Sequence, residues 1–197
     1  MSKDLTFADA QRHAFKTLKD GTAGFKVPEV QITEPAFLIQ EMPLTTANGV
    51  PVFQFGSNAP QQTPILNNIV LGENDVFNMF AIQLLIGYGA TRNIRQYYSY
   101  GLSVSDNVVY NSQMQIKFET NDLITTIDTN SFRTENGTVQ SQYDGAQLIN
   151  PQRIFTGRNS RVNLSINLGD VAPLLFTPDA FISVRLWGAL GASAANN

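Results

Sequence analysis

The first segment of the chain carries apolar residues at the three- and four-residue spacing of an amphipathic helix. The apolar residues on that face are Phe7, Ala10, Ala14, Phe15 and Leu18. Thr6 and Asp9 have the spacing of a capping box, and Gly21 can adopt the left-handed conformation that ends a helix. The pattern predicts a helix over residues 5–19, within an N-terminal helical arm of residues 1–26.

Beyond the arm, short apolar stretches bounded by Pro, Gly, Asn or Asp indicate β-strands. Residues 113–119 and 161–168 alternate strictly between apolar and polar, which is typical of strands with one buried and one solvated face. Asn48-Gly49 and Asn136-Gly137 favour tight turns. The other predicted strands are Val30–Gln40, Val50–Phe55, Ile65–Leu71, Tyr97–Val104, Leu123–Ile127, Val139–Tyr143, Gln152–Thr156 and Phe181–Leu190.

The segment Val76–Ile86 is apolar on both faces, and its pattern fits either a buried strand or a short buried helix. Asn74 or Asp75 could cap a helix, whereas Gly87 would end either element. We favour a central strand and keep the helix as the alternative. The segment is the longest one free of charge, Pro and Gly, and it is too short to cross a bilayer as a helix.

The last strand, Phe181–Leu190, has two distinct faces. Ile182, Val184, Leu186 and Leu190 share one face, which we expect in the core, while Gly188 predicts a bulge or a close backbone approach. The opposite face carries Phe181 and Trp187, which we expect to be covered by the arm or by a neighbouring subunit, with Arg185 between them.

About ten short strands without intervening helices predict an all-β antiparallel sandwich or barrel. No Pro- or Ser-rich linker divides the chain. We therefore predict one β-domain over residues 27–190, preceded by the arm and followed by a flexible C-terminal tail of residues 191–197.

Composition excludes several kinds of site. The chain has no cysteine and one histidine, His13, which removes thiol nucleophiles, cysteine metal sites and any site that needs two histidines from one chain. We expect no cofactor, no metal site and no enzymatic activity. His13 lies among basic residues on the predicted helix, and we expect it to be a solvated or interface residue. Glu73 and Asp75 share a loop, but a calcium loop normally offers more acidic residues.

The polar surface is rich in amides and poor in charge. Charged residues make up 15% of the chain, against about 25% in typical soluble domains. Asn and Gln together number 32. A weakly charged polar surface suits a protein that packs against copies of itself, because each buried charge would need a partner.

Charge is also unevenly distributed. Residues 1–26 hold five basic residues against three acidic ones, whereas residues 27–91 hold five acidic residues and no Lys or Arg. The basic residues of the arm are candidates for weak contact with nucleic acid or with an inner surface. They are Lys3, Arg12, Lys16, Lys19 and Lys26. The arm also lacks the continuous apolar run of a secretory leader.

In the order of its predicted elements, the chain resembles the single jelly-roll coat proteins of icosahedral viruses. In the general character of its sequence, it is most similar to those of tailless bacteriophages. The resemblance is carried by the arm at 6–19, the segment 150–157, the alternating strand 161–168, the closing strand 181–190 and the amide-rich, cysteine-free composition. It implies an antiparallel β-sandwich of jelly-roll type and a self-assembling capsid protein, a major coat or vertex subunit, located in the virion and soluble in the host cytoplasm before assembly.

The partners implied by this resemblance are copies of the same chain, other capsid subunits and, weakly, the genome through the arm. Candidate assembly contacts are Phe7, Phe15, Leu18, Phe181 and Trp187. The alternative is a non-catalytic β-sandwich binding module for carbohydrate or a receptor, which would use Tyr97, Tyr98, Tyr100 and Trp187.

Overall fold

The computed structural model describes residues 6–21, 27, 32–46, 49–56, 71, 75–91, 94–118, 123–134, 143–156, 161–169 and 175–191. Within these residues the chain forms one α-helix, α1 (Phe7–Asp20), and nine β-strands. The strands are β1 (Ile32–Pro43), β2 (Val52–Gly56), β3 (Val76–Tyr88), β4 (Gln96–Tyr98), β5 (Gln113–Phe118), β6 (Leu123–Asp128), β7 (Gln147–Thr156), β8 (Arg161–Asn167) and β9 (Ala180–Gly191).

The strands form two antiparallel sheets. The five-stranded sheet has the order β1-β9-β3, with β7 beside the first half of β3 and the short β4 beside its end. The four-stranded sheet has the order β2-β8-β5-β6. The orders β1-β9-β3-β7 and β2-β8-β5-β6, with the chain crossing repeatedly between the sheets, are those of a jelly roll. The predicted fold class is therefore confirmed.

The segment Val76–Tyr88 is a strand, as we favoured, and every residue before Tyr88 is buried. A register shift between Met79 and Ala81 inserts one extra residue into β3 relative to β9. Phe80 and Ala81 consequently both face outward, away from the second sheet. Because the bulge takes up the extra residue, alternate side chains point into the core both before and after the bulge. They are Phe77, Met79, Ile82, Leu84 and Ile86.

Helix α1 begins two residues later and ends one residue later than predicted, but its ends are formed by the residues that the sequence indicates. The Thr6 side chain accepts a hydrogen bond from the backbone N–H of Asp9, and the Asp9 carboxylate accepts one from the N–H of Thr6, which completes the capping box. Gly21 ends the helix with φ of 70°. Ala10, Ala14 and Leu18 are buried on the outer face of the five-stranded sheet.

Strand β9 lies in the middle of the five-stranded sheet, between β1 and β3. Ile182, Val184 and Leu186 point into the core, as predicted. At Gly188 the backbone is so close to β3 that a Cβ atom would lie 2.5 Å from the Phe77 ring. The close approach expected at this glycine is confirmed.

The strand predicted over Tyr97–Val104 is wrong beyond Tyr98, where β4 ends. The chain turns at Gly101, whose N–H donates to Oδ1 of Asn107 at 3.0 Å. A side chain at Gly101 would meet the Asn107 backbone at 2.6 Å. Such local side chain–backbone bonds compete with strand pairing, so Leu102 and Val104 project into solvent.

Several predictions fall wholly or largely outside the described residues. They concern most of the strands Ile65–Leu71 and Val139–Tyr143, the Asn136-Gly137 turn, and residues 192–197 of the tail. Strand β9 continues to Gly191, one residue beyond the predicted end of the β-domain.

We predict that Leu186→Ala lowers the free energy of unfolding by roughly 2–5 kcal/mol, because it leaves a cavity in a fully buried site between the sheets. Leu102→Ala is the matched control. It removes the same atoms from an exposed side chain and should change stability by less than about 0.5 kcal/mol. Urea unfolding measures both. Equal losses in the two variants would contradict the position of β9 in the core.

Candidate functional site

The arm lies on the outer face of the five-stranded sheet and packs there through aromatic rings. The Phe7 ring centroid is 4.9 Å from that of Phe80, 4.1 Å from that of Tyr143 and 6.1 Å from that of Trp187. Trp187 is 2% exposed, and its indole N–H donates to Oε1 of Gln83 at 3.1 Å. The arm therefore covers Trp187 within the same chain.

Polar side chains of the sheet also hold the helix. Nδ2 of Asn78 donates to the carbonyl of Ala14 at 3.2 Å, and Nε2 of Gln152 donates to the carbonyl of Ala10 at 2.7 Å. Nδ1 of His13 lies 3.0 Å from Oε1 of the same Gln152. These bonds fix the position of the helix along the sheet, and they give His13 a role in attaching the arm.

The residues predicted as assembly contacts therefore lie in different parts of the fold. Leu18 is fully buried between the helix and the sheet. Phe15 is half-buried and does not belong to the cluster of aromatic rings around Trp187. Phe181 lies outside the cluster that the arm covers, and the Arg95 guanidinium lies 3.5 Å above its ring, while its contact with a neighbour stays a prediction. That Phe7, Leu18 and Trp187 contact a neighbour stays a prediction, and in this arrangement they pack within one subunit.

The basic residues of the arm are only partly described. Arg12, Lys16 and Lys19 lie on the exposed side of α1, opposite the residues that pack on the sheet. Lys3 and Lys26 lie outside the described residues. Nucleic-acid contact through these side chains stays a prediction, and their position leaves the first three accessible to solvent.

A buried ion pair covers the other half of the same outer face. Nη1 of Arg95 lies 2.5 Å from the Glu41 carboxylate, and the Tyr97 hydroxyl donates to the second carboxylate oxygen at 2.7 Å. Gly87 makes room for this arrangement, because a Cβ there would lie 2.6 Å from the Arg95 side chain. The Arg185 guanidinium lies 4.6 Å from the Tyr97 ring centroid.

The sequence analysis did not identify this ion pair. Glu41 and Arg95 are 54 residues apart, and only the strand order β1-β9-β3-β4 brings them together. The only hint of it in the sequence is Gly87, because a glycine in a buried strand leaves room for another group to approach the backbone.

The connections β1–β2, β3–β4, β4–β5, β6–β7 and β8–β9 all lie at one end of the sandwich, which we call the loop end. Large exposed apolar side chains are found there and at no other place among the described residues. Val104 is 93% exposed and Ile94 68% exposed. The complete set is Val50, Val52, Ile94, Leu102, Val104 and Leu175.

A buried carboxylate holds two of these connections together. Asp106, in the β4–β5 connection, accepts hydrogen bonds from the hydroxyl and backbone N–H of Thr177, in the β8–β9 connection, at 2.6 and 3.0 Å. The Tyr88 hydroxyl donates to the same carboxylate at 2.8 Å. Burial opposes the charged form, but these hydrogen bonds outweigh it and hold the pKa of Asp106 below its usual value.

The aromatic residues proposed for a carbohydrate module are largely engaged inside the fold. Trp187 is buried under the arm, and the Tyr97 hydroxyl binds Glu41. Tyr98 and Tyr100 are half-buried and pack edge to face, with ring centroids 5.3 Å apart. Trp187 thus offers no open ring face to a sugar, and the Arg185 guanidinium lies over the Tyr97 ring.

The described part of the chain holds no group of three or more His, Asp or Glu side chains close enough to ligate one metal ion. It also contains no helix whose length and hydropathy would let it span a membrane. Comparison with known protein families, curated proteins and solved structures gave no match. The functional interpretation therefore rests on this chain's own residues.

We predict that Phe7→Ala shifts the fluorescence emission of Trp187, the only tryptophan, to longer wavelength, because it opens the packed rings to water. Phe15→Ala is the matched control on the same helix and should leave the emission unchanged. Emission spectra under native conditions provide the measurement. An unshifted spectrum in Phe7→Ala would mean that the arm does not cover Trp187.

We predict that Asp106→Asn lowers the free energy of unfolding at neutral pH by roughly 1–3 kcal/mol, because charge-assisted hydrogen bonds are lost. In the wild-type chain the contribution of Asp106 is complete above the unfolded pKa, about 3.9. It is lost as pH falls through the lower folded-state pKa, so the acid destabilisation should be shallower in the variant. Asp179→Asn, an exposed change in the β8–β9 connection that Asp106 binds, is the control. Urea unfolding at several pH values measures these effects, and identical acid profiles for wild type and Asp106→Asn would contradict the assignment.

Proposed function

We propose that the protein is a structural subunit that assembles with copies of itself into the shell of a virion, as a major coat or vertex subunit. The observation that supports this proposal is the gathering of exposed large apolar side chains at the loop end of a jelly roll. Soluble monomers rarely expose contiguous apolar patches larger than a few hundred Å², so an end of the fold that concentrates exposed apolar side chains is a candidate interaction surface.

The loop end is well suited to a specific contact because its connections are held in place before any partner binds. Asp106 joins the β4–β5 and β8–β9 connections, and Asn107 closes the turn that presents Leu102 and Val104. Ordering loops on binding costs free energy, so a preformed surface binds more tightly than a mobile one.

The rest of the subunit also fits repeated packing. The outer face of the five-stranded sheet is closed by the arm and by the Arg95 ion pair, so its apolar residues are unavailable to other proteins. The outer face of the four-stranded sheet presents mainly amides and hydroxyls, including Gln113, Gln115 and Thr126. A subunit of this kind associates through one apolar end and weakly charged polar sides.

In this proposal the arm acts first within the subunit. Its apolar side packs on the sheet, while Arg12 and Lys16 face outward where they can meet an anionic polymer such as the genome. The small positive balance of the arm fits an auxiliary contact rather than the neutralisation of a packaged genome.

The test is the size of the purified protein. We expect analytical ultracentrifugation and negative-stain microscopy to show closed particles or stable rings. Val104→Asp should shift them toward monomers, because it places a charge in an apolar contact. Thr33→Asp is the control, since Thr33 is exposed near the opposite end of the sandwich.

Both variants should retain the wild-type unfolding transition, which separates failed assembly from failed folding. A wild-type protein that stays monomeric at all concentrations would overturn the proposal. Equal disruption by Thr33→Asp would remove the loop end as the contact.

A further inference from the structure

A cleft opens beside the loop end, where β5 begins and where β6 and β8 end. Its volume is about 440 Å³. The residues that line it are Val108, Asn111, Ser112, Gln113, Asp128, Asn167, Leu168 and Gly169. This volume falls within the range of small-molecule sites, about 300–1,000 Å³.

The lining residues restrict the chemistry of a ligand. Three carry side-chain amides, Asn111, Gln113 and Asn167, and each amide both donates and accepts hydrogen bonds. Asp128 supplies a carboxylate, and none of the eight lining residues is Lys, Arg or His. These eight side chains offer no positive charge to balance an anionic ligand. A purely apolar ligand would find few apolar contacts.

The walls of the cleft are fixed by bonds within the fold. The Thr129 hydroxyl accepts from the backbone N–H of Ser112 at 2.9 Å and donates to its carbonyl at 2.6 Å, which joins the start of β5 to the chain after β6. One Asp128 carboxylate oxygen accepts from the N–H of Asn130 at 2.9 Å. Oδ1 of Asn167 accepts from the N–H of Gly169, where φ is 66°. The Asp128 carboxylate and the Asn167 amide oxygen are therefore held in position without a ligand.

We propose that this cleft binds a neutral saccharide. Hydroxyl groups donate and accept hydrogen bonds as amides do, and a pair of adjacent sugar hydroxyls can donate to the Asp128 carboxylate. The site differs from the aromatic carbohydrate surface considered from the sequence, because it uses amides on β5 and β8 in place of the Tyr and Trp side chains. It does not depend on self-assembly, so each proposal can fail alone.

Saturation-transfer difference NMR provides the test, since it reads ligand signals and works with large particles as well as with subunits. The probes are glucose, galactose, mannose and N-acetylglucosamine, with the anionic sugar N-acetylneuraminic acid as the ligand that should not bind. We expect transfer to at least one neutral sugar in the wild-type protein.

Gln113→Leu should raise the dissociation constant of that sugar roughly threefold to tenfold, the loss of about one hydrogen bond. Gln115→Leu is the matched control: it lies two residues along β5, is exposed on the same face and does not line the cleft. No transfer to any neutral sugar would overturn the proposal. Unchanged binding in Gln113→Leu, or equal weakening in Gln115→Leu, would overturn this location.

Discussion

The five-stranded sheet is apolar on both faces, and the rest of the structure depends on covering them. β3 is buried along almost its whole length, and β9 contributes Leu186 to one face and Trp187 to the other. One face packs against the four-stranded sheet and forms the main core. Among the described residues, α1 and the side chain of Arg95 cover the other face. Exposure of such a face to water would cost about 25 cal/mol per Å² of apolar surface.

Close approach of backbone and side chains helps to cover both faces. On the inner face, Gly188 lets β9 pass against the Phe77 ring, and on the outer face Gly87 lets Arg95 lie across β3. The bulge at Phe80 turns two successive apolar side chains toward the arm. The outer face is thus shaped by the absence of a side chain at Gly87 and by the extra residue of the bulge.

Covering that face leaves the loop end as the main exposed apolar surface among the described residues. Phe7 of the arm packs against Trp187, and the sequence suggested both residues as contacts between subunits. The side chains that remain exposed, such as Val104, lie on connections whose shape is set by Asp106 and Asn107. Our proposal of self-contact therefore rests on the loop end, and contact through the arm and β9 stays a prediction.

The sequence by itself determined the elements whose signal is local. Helix α1, β5 and β8 follow from the spacing of apolar residues over a few turns or a few alternations, and the inward face of β9 follows from the same rule. The jelly-roll expectation came from the layout as a whole and agrees with the strand order. The tertiary structure alone decided where Trp187 is covered, that Glu41 meets Arg95, and that Leu102 and Val104 leave the strand. The physical reason is that these outcomes depend on groups brought together by strand pairing and chain crossing, which local periodicity does not encode.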